Sequence, residues 1–161
     1  MSDMSELPIY SGRPMDPCDL LNSDQVSGNI PSTAKIITIE QARASLPQAR
    51  DLLVQLQAIS DNAADLTEEL DIILESYDSS HEHVTELADY LASMIHSWHQ
   101  VVDKMESTGA KMACLDPGRL EWYGVVDEQL VLYSWAQGED DIEWYHSIES
   151  SFIARKPLIE A

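Results

Sequence analysis

The stretch "VVDKMESTGAKMACLDPGRLEWYGVV", residues 101 to 126, changes its period in the middle. Before Gly109, Val101, Val102 and Met105 stand at the spacing of one helix face. After it, "AKMACL" and "RLEWYGVV" alternate as strands do, with "DPGR" as turn chemistry between them. Gly109 is placed to end a helix, because glycine takes the left-handed conformation of a helix C-terminus without a steric cost. A period that shifts from 3.6 to 2 at this point predicts helices followed by a sheet.

Reading backwards, Val84, Leu87, Leu91, Met94, Ile95 and Trp98 continue the helical stripe to the polar segment "YDSSHEH". An earlier stripe runs from Ala49 through Leu56, Ala63 and Leu70 to Leu74. Neither stripe can be buried alone, so two long helices joined by a short turn should fold back on each other. Thr38 and Gln41 have capping-box spacing for the first helix. Pro47 cannot donate an amide bond, so the expectation is a short turn over residues 39 to 45 and a second helix start at Pro47.

Reading forwards, "LVLYSWA" is a third strand after the turn "VDEQ", "IEWYH" a fourth after the loop "QGEDD", and "SIESSFIAR" a closing helical turn. The predicted fold class is α+β: a long antiparallel helical hairpin, about 38–108, packed with a small three- or four-stranded antiparallel sheet. The sheet and closing segment occupy about 110–158, the C-terminal end of a single domain over 35–161. Residues 1–34 are rich in Ser, Pro, Asp, Gly and Asn and are expected to be a flexible arm.

A chain of 161 residues holds one ordinary core. Its 29 Asp and Glu against 9 Lys and Arg give a net charge of −20, and no Lys or Arg occurs from Asp51 through Asp103. Such a field repels phosphate backbones and anionic lipid, which speaks against nucleic-acid and membrane partners. Cys18 and Cys114 lie far apart behind a start without signal-peptide character, so reduced thiols in a cytoplasmic protein are expected. No apolar run approaches the length needed to cross a bilayer.

Glu121, His146, Glu149 and Arg155 could form a catalytic cluster: His146 as general base, tuned by Glu121, Glu149 or the neighbouring Glu139, with Arg155 holding an anionic group or pinning the chain end to Glu121 or Glu149. Alternation puts Ile142, Trp144 and His146 on one strand face, and a histidine at the edge of a core is as commonly a structural tie. Trp122, Trp135, Trp144 and Tyr145 are candidate binding anchors, since aromatics on alternating strands occupy both faces of the sheet. His96 and His99, three apart on a helix, have the spacing of a metal pair, but no Glu-x-x-His motif accompanies them and no metal is assigned. Phosphate loops, nucleophile elbows and zinc-protease motifs are missing from the sequence, and no cofactor is expected.

Leu46 with Pro47, Glu121 with Trp122, and Trp135 followed by Gly138 and Glu139 belong to one pattern. It ends with Tyr145, His146, Phe152, Arg155, Pro157 and Leu158. Over residues 36 to 158 the chain resembles the bacterial family catalogued as domain of unknown function 2203. Ser134, Ser151 and Ala154 stand where that pattern has cysteine and glycines. The resemblance implies the fold and brings no catalytic residue with it. The leading expectation is a non-catalytic interaction or adaptor module that binds a protein partner or self-associates, for example as a homodimer. The alternative is a small hydrolase-like or metal-assisted enzyme built on Glu121, His146, Glu149 and Arg155.

Overall fold

The computed structural model describes residues 34–160. The expected arm therefore lies outside the described residues apart from Ala34, and so does Cys18. Helix α1 spans Ile39–Leu74 and helix α2 spans Glu82–Ser107. Strands β1 (Lys111–Cys114), β2 (Arg119–Val126), β3 (Gln129–Ala136), β4 (Trp144–Ser147) and β5 (Lys156–Pro157) follow. They form one antiparallel sheet in the order β1-β2-β3-β4-β5, with a single turn of 3-10 helix at Phe152–Ala154 before the last strand.

Helix α1 starts where the capping box places it. The Thr38 side chain accepts from the Gln41 amide, and the Gln41 side chain accepts from the Thr38 amide at 2.9 Å. The expected interruption at Pro47 does not occur, and the helix runs through it. An interior proline costs roughly 3 kcal/mol. On both sides of it, Ala42, Leu46 and Ala49 are buried in the same core, and their contacts outweigh the lost amide bond. Arg43, four residues before the proline, donates two hydrogen bonds to the Ile142 carbonyl and so ties this part of the helix to the loop before β4.

The turn between the helices is organised by Asp78 and His81. The Ser80 hydroxyl and then the Ser80 amide bond to the Asp78 carboxylate and hold it below the ordinary carboxylate range. His81 caps α2, its Nδ1 accepting from the His83 amide at 3.1 Å, a role usually given to Ser, Thr, Asp or Asn. Gly109, at φ +91°, follows the last turn of α2 as expected.

Between β2 and β3, Val126 pairs with Gln129 around a two-residue turn in which Asp127 and Glu128 both have positive φ. A turn of this hand matches the twist of the strands, though glycine and asparagine usually supply it. Gly124 is required by packing: the Tyr133 ring lies where a Cβ on Gly124 would stand. Leu120, Trp122, Val131, Tyr133 and Trp135 turn one face of the sheet toward the helices, where they join Leu46, Leu53, Leu56, Val101 and Met105 in the core. The segment before α1 docks on the same sheet through the Ile37 amide, which donates to the Tyr123 carbonyl at 2.9 Å.

The core covers only part of the hairpin. At 1.5 Å per residue the 36 residues of α1 extend about 54 Å. Its buried residues end at Leu56, and in α2 only Val84, Val101 and Met105 are buried. The distal part, about residues 59–98, is an arm of two helices projecting beyond the sheet.

Candidate functional site

The sheet face opposite the helices carries the polar residues singled out in the sequence. On β2 the period-2 alternation that turns Leu120 and Trp122 inward turns Glu121 outward. Glu121 pairs with Ser134 across the β2–β3 ladder, and His146 pairs with Leu132 across the β3–β4 ladder. His146 and Glu121 meet with Nε2 to Oε2 at 2.8 Å, and both side chains are buried.

Proton counting limits what this pair can do. The second ring nitrogen, Nδ1, lies 2.8 Å from the Ser147 carbonyl, which can only accept, so Nδ1 carries a proton. Nε2 faces a carboxylate oxygen, and one proton is shared across that contact. Whether it resides on the imidazole or the carboxyl, the pair is neutral overall, which is the condition for burying two such groups. Both ring nitrogens have partners within the sheet.

Arg155 is not joined to Glu121 or Glu149, the two partners expected for it. It forms a two-pronged pair with Glu139, Nη1 to Oε1 at 3.2 Å and Nη2 to Oε2 at 3.1 Å. The reason is topological. Strand β5 pairs with the start of β4, Trp144 opposite Pro157, and this brings Arg155 beside the β3–β4 loop. Glu139 also accepts from the Ala136 amide, while its own carbonyl accepts from Trp135 Nε1 at 2.9 Å. The Arg155 guanidinium lies 3.9 Å from the centre of the Phe152 ring, and that of Arg119 lies 3.7 Å from it. Such cation–π contacts fasten the closing segment over the sheet.

The remaining candidates are dispersed. Glu149 is exposed, with its amide hydrogen-bonded to Ser147 Oγ. Trp122 and Trp135, read as possible binding anchors, are fully buried. The Trp122 indole donates to Ser45 Oγ, pinning β2 to α1. Trp144 and Tyr145 are half-buried, Tyr145 against the core and Trp144 near Arg155. His96 and His99 are exposed on α2, and among the described residues no group of three or more His, Cys, Asp or Glu could hold a metal ion. Cys114 is disulfide-bonded rather than a reduced thiol. No helix among the described residues is long and apolar enough to cross a membrane.

Two clefts among the described residues do not include His146. One of about 430 Å³, between the base of the hairpin and the edge of the sheet, is floored by Leu56, Val102, Met105 and Met112. Another, of about 510 Å³, passes Tyr145 and Ser147 without reaching His146.

With the Glu121–His146 pair and the Glu139–Arg155–Phe152 clasp in place, the comparison with known families has a physical meaning. The family model described as "Uncharacterized conserved protein (DUF2203)" matches residues 35–158. The chain belongs to the DUF2203 family. No curated protein and no solved structure matches it. Of the pattern that carries the DUF2203 resemblance, Glu139, Phe152 and Arg155 form the clasp of the closing segment, and Leu46, Trp122 and Trp135 lie in the core.

Sequence reasoning missed the Glu139–Arg155 pairing and the stacking of Arg119 on Phe152. It also missed the difference between the two halves of the hairpin. The first two depend on a chain reversal that no local spacing displays. The third had a signal in helix length, since a short sheet cannot cover two helices this long.

Proposed function

We propose that this chain is a non-catalytic interaction module, an adaptor, whose contact surface is the distal half of the α1–α2 hairpin. The observation that carries this reading is the half-covered apolar stripe. Near the sheet Leu52, Leu53, Leu56 and Met105 are buried; farther out Leu66, Leu70, Leu91 and Met94 are only half-buried. Two helices bury the inner edge of their stripes against each other and leave the outer edge to water, a condition that a further helix relieves. A protein partner or a second copy would cover it.

The enzyme alternative has less support. Its proposed base has no unoccupied ring nitrogen, its anion-binding arginine is engaged by Glu139, and Glu149 is not joined to either of them. We also propose a cytoplasmic site of action. The disulfide at Cys114 weighs against it, since cytosolic thiols are generally held reduced, and thiol counting on unreduced protein from cells decides the point.

A photo-reactive side chain placed at Leu70 or Ile95, with Ile153 on the closing segment as control, tests the contact surface in cells. Defined adducts from the hairpin positions and none from Ile153 are expected. Adducts confined to Ile153 would reject the hairpin as the contact surface.

A further inference from the structure

The charge around the hairpin says what kind of partner its uncovered stripe takes. From Asp51 to Asp103 there is no lysine or arginine. Asp65, Glu69, Asp71, Glu86 and Asp89 are all exposed on the distal helices. Apolar surface remains open beside them: Ile95 is 52% exposed and Leu74 is 42% exposed.

A second copy meets this surface poorly. Its own arm carries the same unbroken negative charge, so pairing arm to arm brings like charges together over the whole contact. The described cations, among them Arg43, Arg50, Lys104, Arg119 and Arg155, all lie outside the distal arm. A partner of opposite sign gains attraction along the same length in which a copy meets repulsion. The seam is also straight and helical. From Ile59 to Leu74 it extends about 24 Å at 1.5 Å per residue, the length of a four-turn helix.

We propose that the distal hairpin is a docking groove for a basic amphipathic helix of a partner protein. The apolar face of that helix enters the seam among Leu66, Leu70, Leu91 and Met94, and its Lys and Arg residues lie over the acidic flanks. The assembly is a three-helix bundle with one cationic member. This partner class rests on the interaction-module reading above, and it makes the groove selective by charge as well as by shape.

The test uses the full chain and three synthetic peptides of about 18 residues, long enough to span the seam. One has a leucine stripe with lysines on its other face. The second has the same composition scrambled so that no amphipathic helix forms. The third carries glutamates in place of the lysines. In a fluorescence-anisotropy titration at low salt, the lysine amphipathic peptide binds saturably at one per chain. It binds at least about tenfold more tightly than the scrambled peptide, and the glutamate peptide does not bind.

Two variants separate groove from charge. Ile95→Gln, at an exposed position that tolerates a polar side chain, and Met94→Gln each weaken the lysine peptide by about tenfold without changing the charge, while Ile153→Ser on the closing segment leaves it unchanged. Circular dichroism verifies that each variant is folded. Equal binding of the scrambled peptide overturns the proposal, because charge alone then explains the affinity. Unchanged binding by the folded Ile95→Gln protein overturns it as well.

Sedimentation of the full chain separates this proposal from the broader reading. A concentration-dependent dimer abolished by Ile95→Gln, without peptide binding, makes the occupant a second copy and overturns the basic-helix partner while retaining the interaction module. A strict monomer that binds none of the peptides overturns the basic-helix partner. If the photo-reactive positions on the hairpin also give no adduct, the interaction module falls too.

Discussion

Glu121 and His146 meet inside the sheet, Nε2 to Oε2 at 2.8 Å, with both side chains buried. One shared proton makes the pair neutral, so removing either member changes the charge balance of a buried site. His146→Ala should therefore destabilise the fold by about 3–5 kcal/mol in urea unfolding, because it takes from a buried carboxyl its histidine partner. The double change Glu121→Met with His146→Leu should recover most of that loss. A double variant no more stable than the single would show that packing, and not the unpaired group, dominates. Two further residue-scale effects follow from backbone shape. Replacing Asp127-Glu128 with Asn-Gly should stabilise by about 1 kcal/mol, since both positions are left-handed and non-glycine residues adopt that region at a cost of about 1–2 kcal/mol. Gly124→Ala should cost about 1–3 kcal/mol by overpacking against Tyr133; the companion change Tyr133→Leu, which removes the ring from that place, should make the alanine easier to accept. Equilibrium unfolding of the single and paired variants measures each.

At the scale of elements, Arg155 is the residue on which the closing segment turns. It joins the segment after β4 to the β3–β4 loop through Glu139 and stacks on Phe152 in the same position. Arg155→Ala should loosen β5 ahead of the rest of the fold, seen as faster amide exchange at Leu158, whose amide is bonded to the Glu143 carbonyl at 2.8 Å. Arg155→Lys should restore little of that protection, because an ammonium cannot make the two-pronged pair. Much of this architecture was legible beforehand. The period shift at Gly109 placed the helices before the sheet, the Thr38–Gln41 spacing marked the start of α1, and "VDEQ" marked the tight turn between β2 and β3. Pro47 misled because its local cost is read from the sequence while the burial of Ala42, Leu46 and Ala49 that offsets it is tertiary. Strand β5 was not legible at all: two residues, one of them proline, carry no period, and only pairing with Trp144 and Tyr145 makes them a strand.

Over the whole molecule, charge and stability are separated in space. The core and the polar clasp lie at the sheet end, and the arm is acidic with a stripe that the fold leaves half-covered. A net charge of −20 repels itself, so stability should rise with added salt as the Debye length falls from about 10 Å at 0.1 M to about 3 Å at 1 M. Burial raises the Tyr133 phenol above its ordinary value. The neutral form is the one the fold favours, so this contribution is fully present below the unfolded value of about 10 and is lost as pH rises through the folded one. Tyr133→Phe should remove that part of the alkaline loss from a pH series of thermal unfolding.

The same separation bears on function, since the sequence drew attention to the sheet end while the uncovered surface lies on the arm. Glu121, His146 and Arg155 were visible as chemistry-bearing residue types, but whether they face a substrate or each other is decided by pairing across strands. The stripe was visible too, as one continuous series from Ala49 to Leu74, and its continuity hid the point at which the sheet stops covering it. The most direct measurement is hydrogen exchange along the full chain, free and with the lysine amphipathic peptide bound. Slower exchange confined to residues 59–74 and 84–98 is the expected result. Protection that appears instead around Glu121, His146 and Arg155 would contradict it and return the working surface to the sheet.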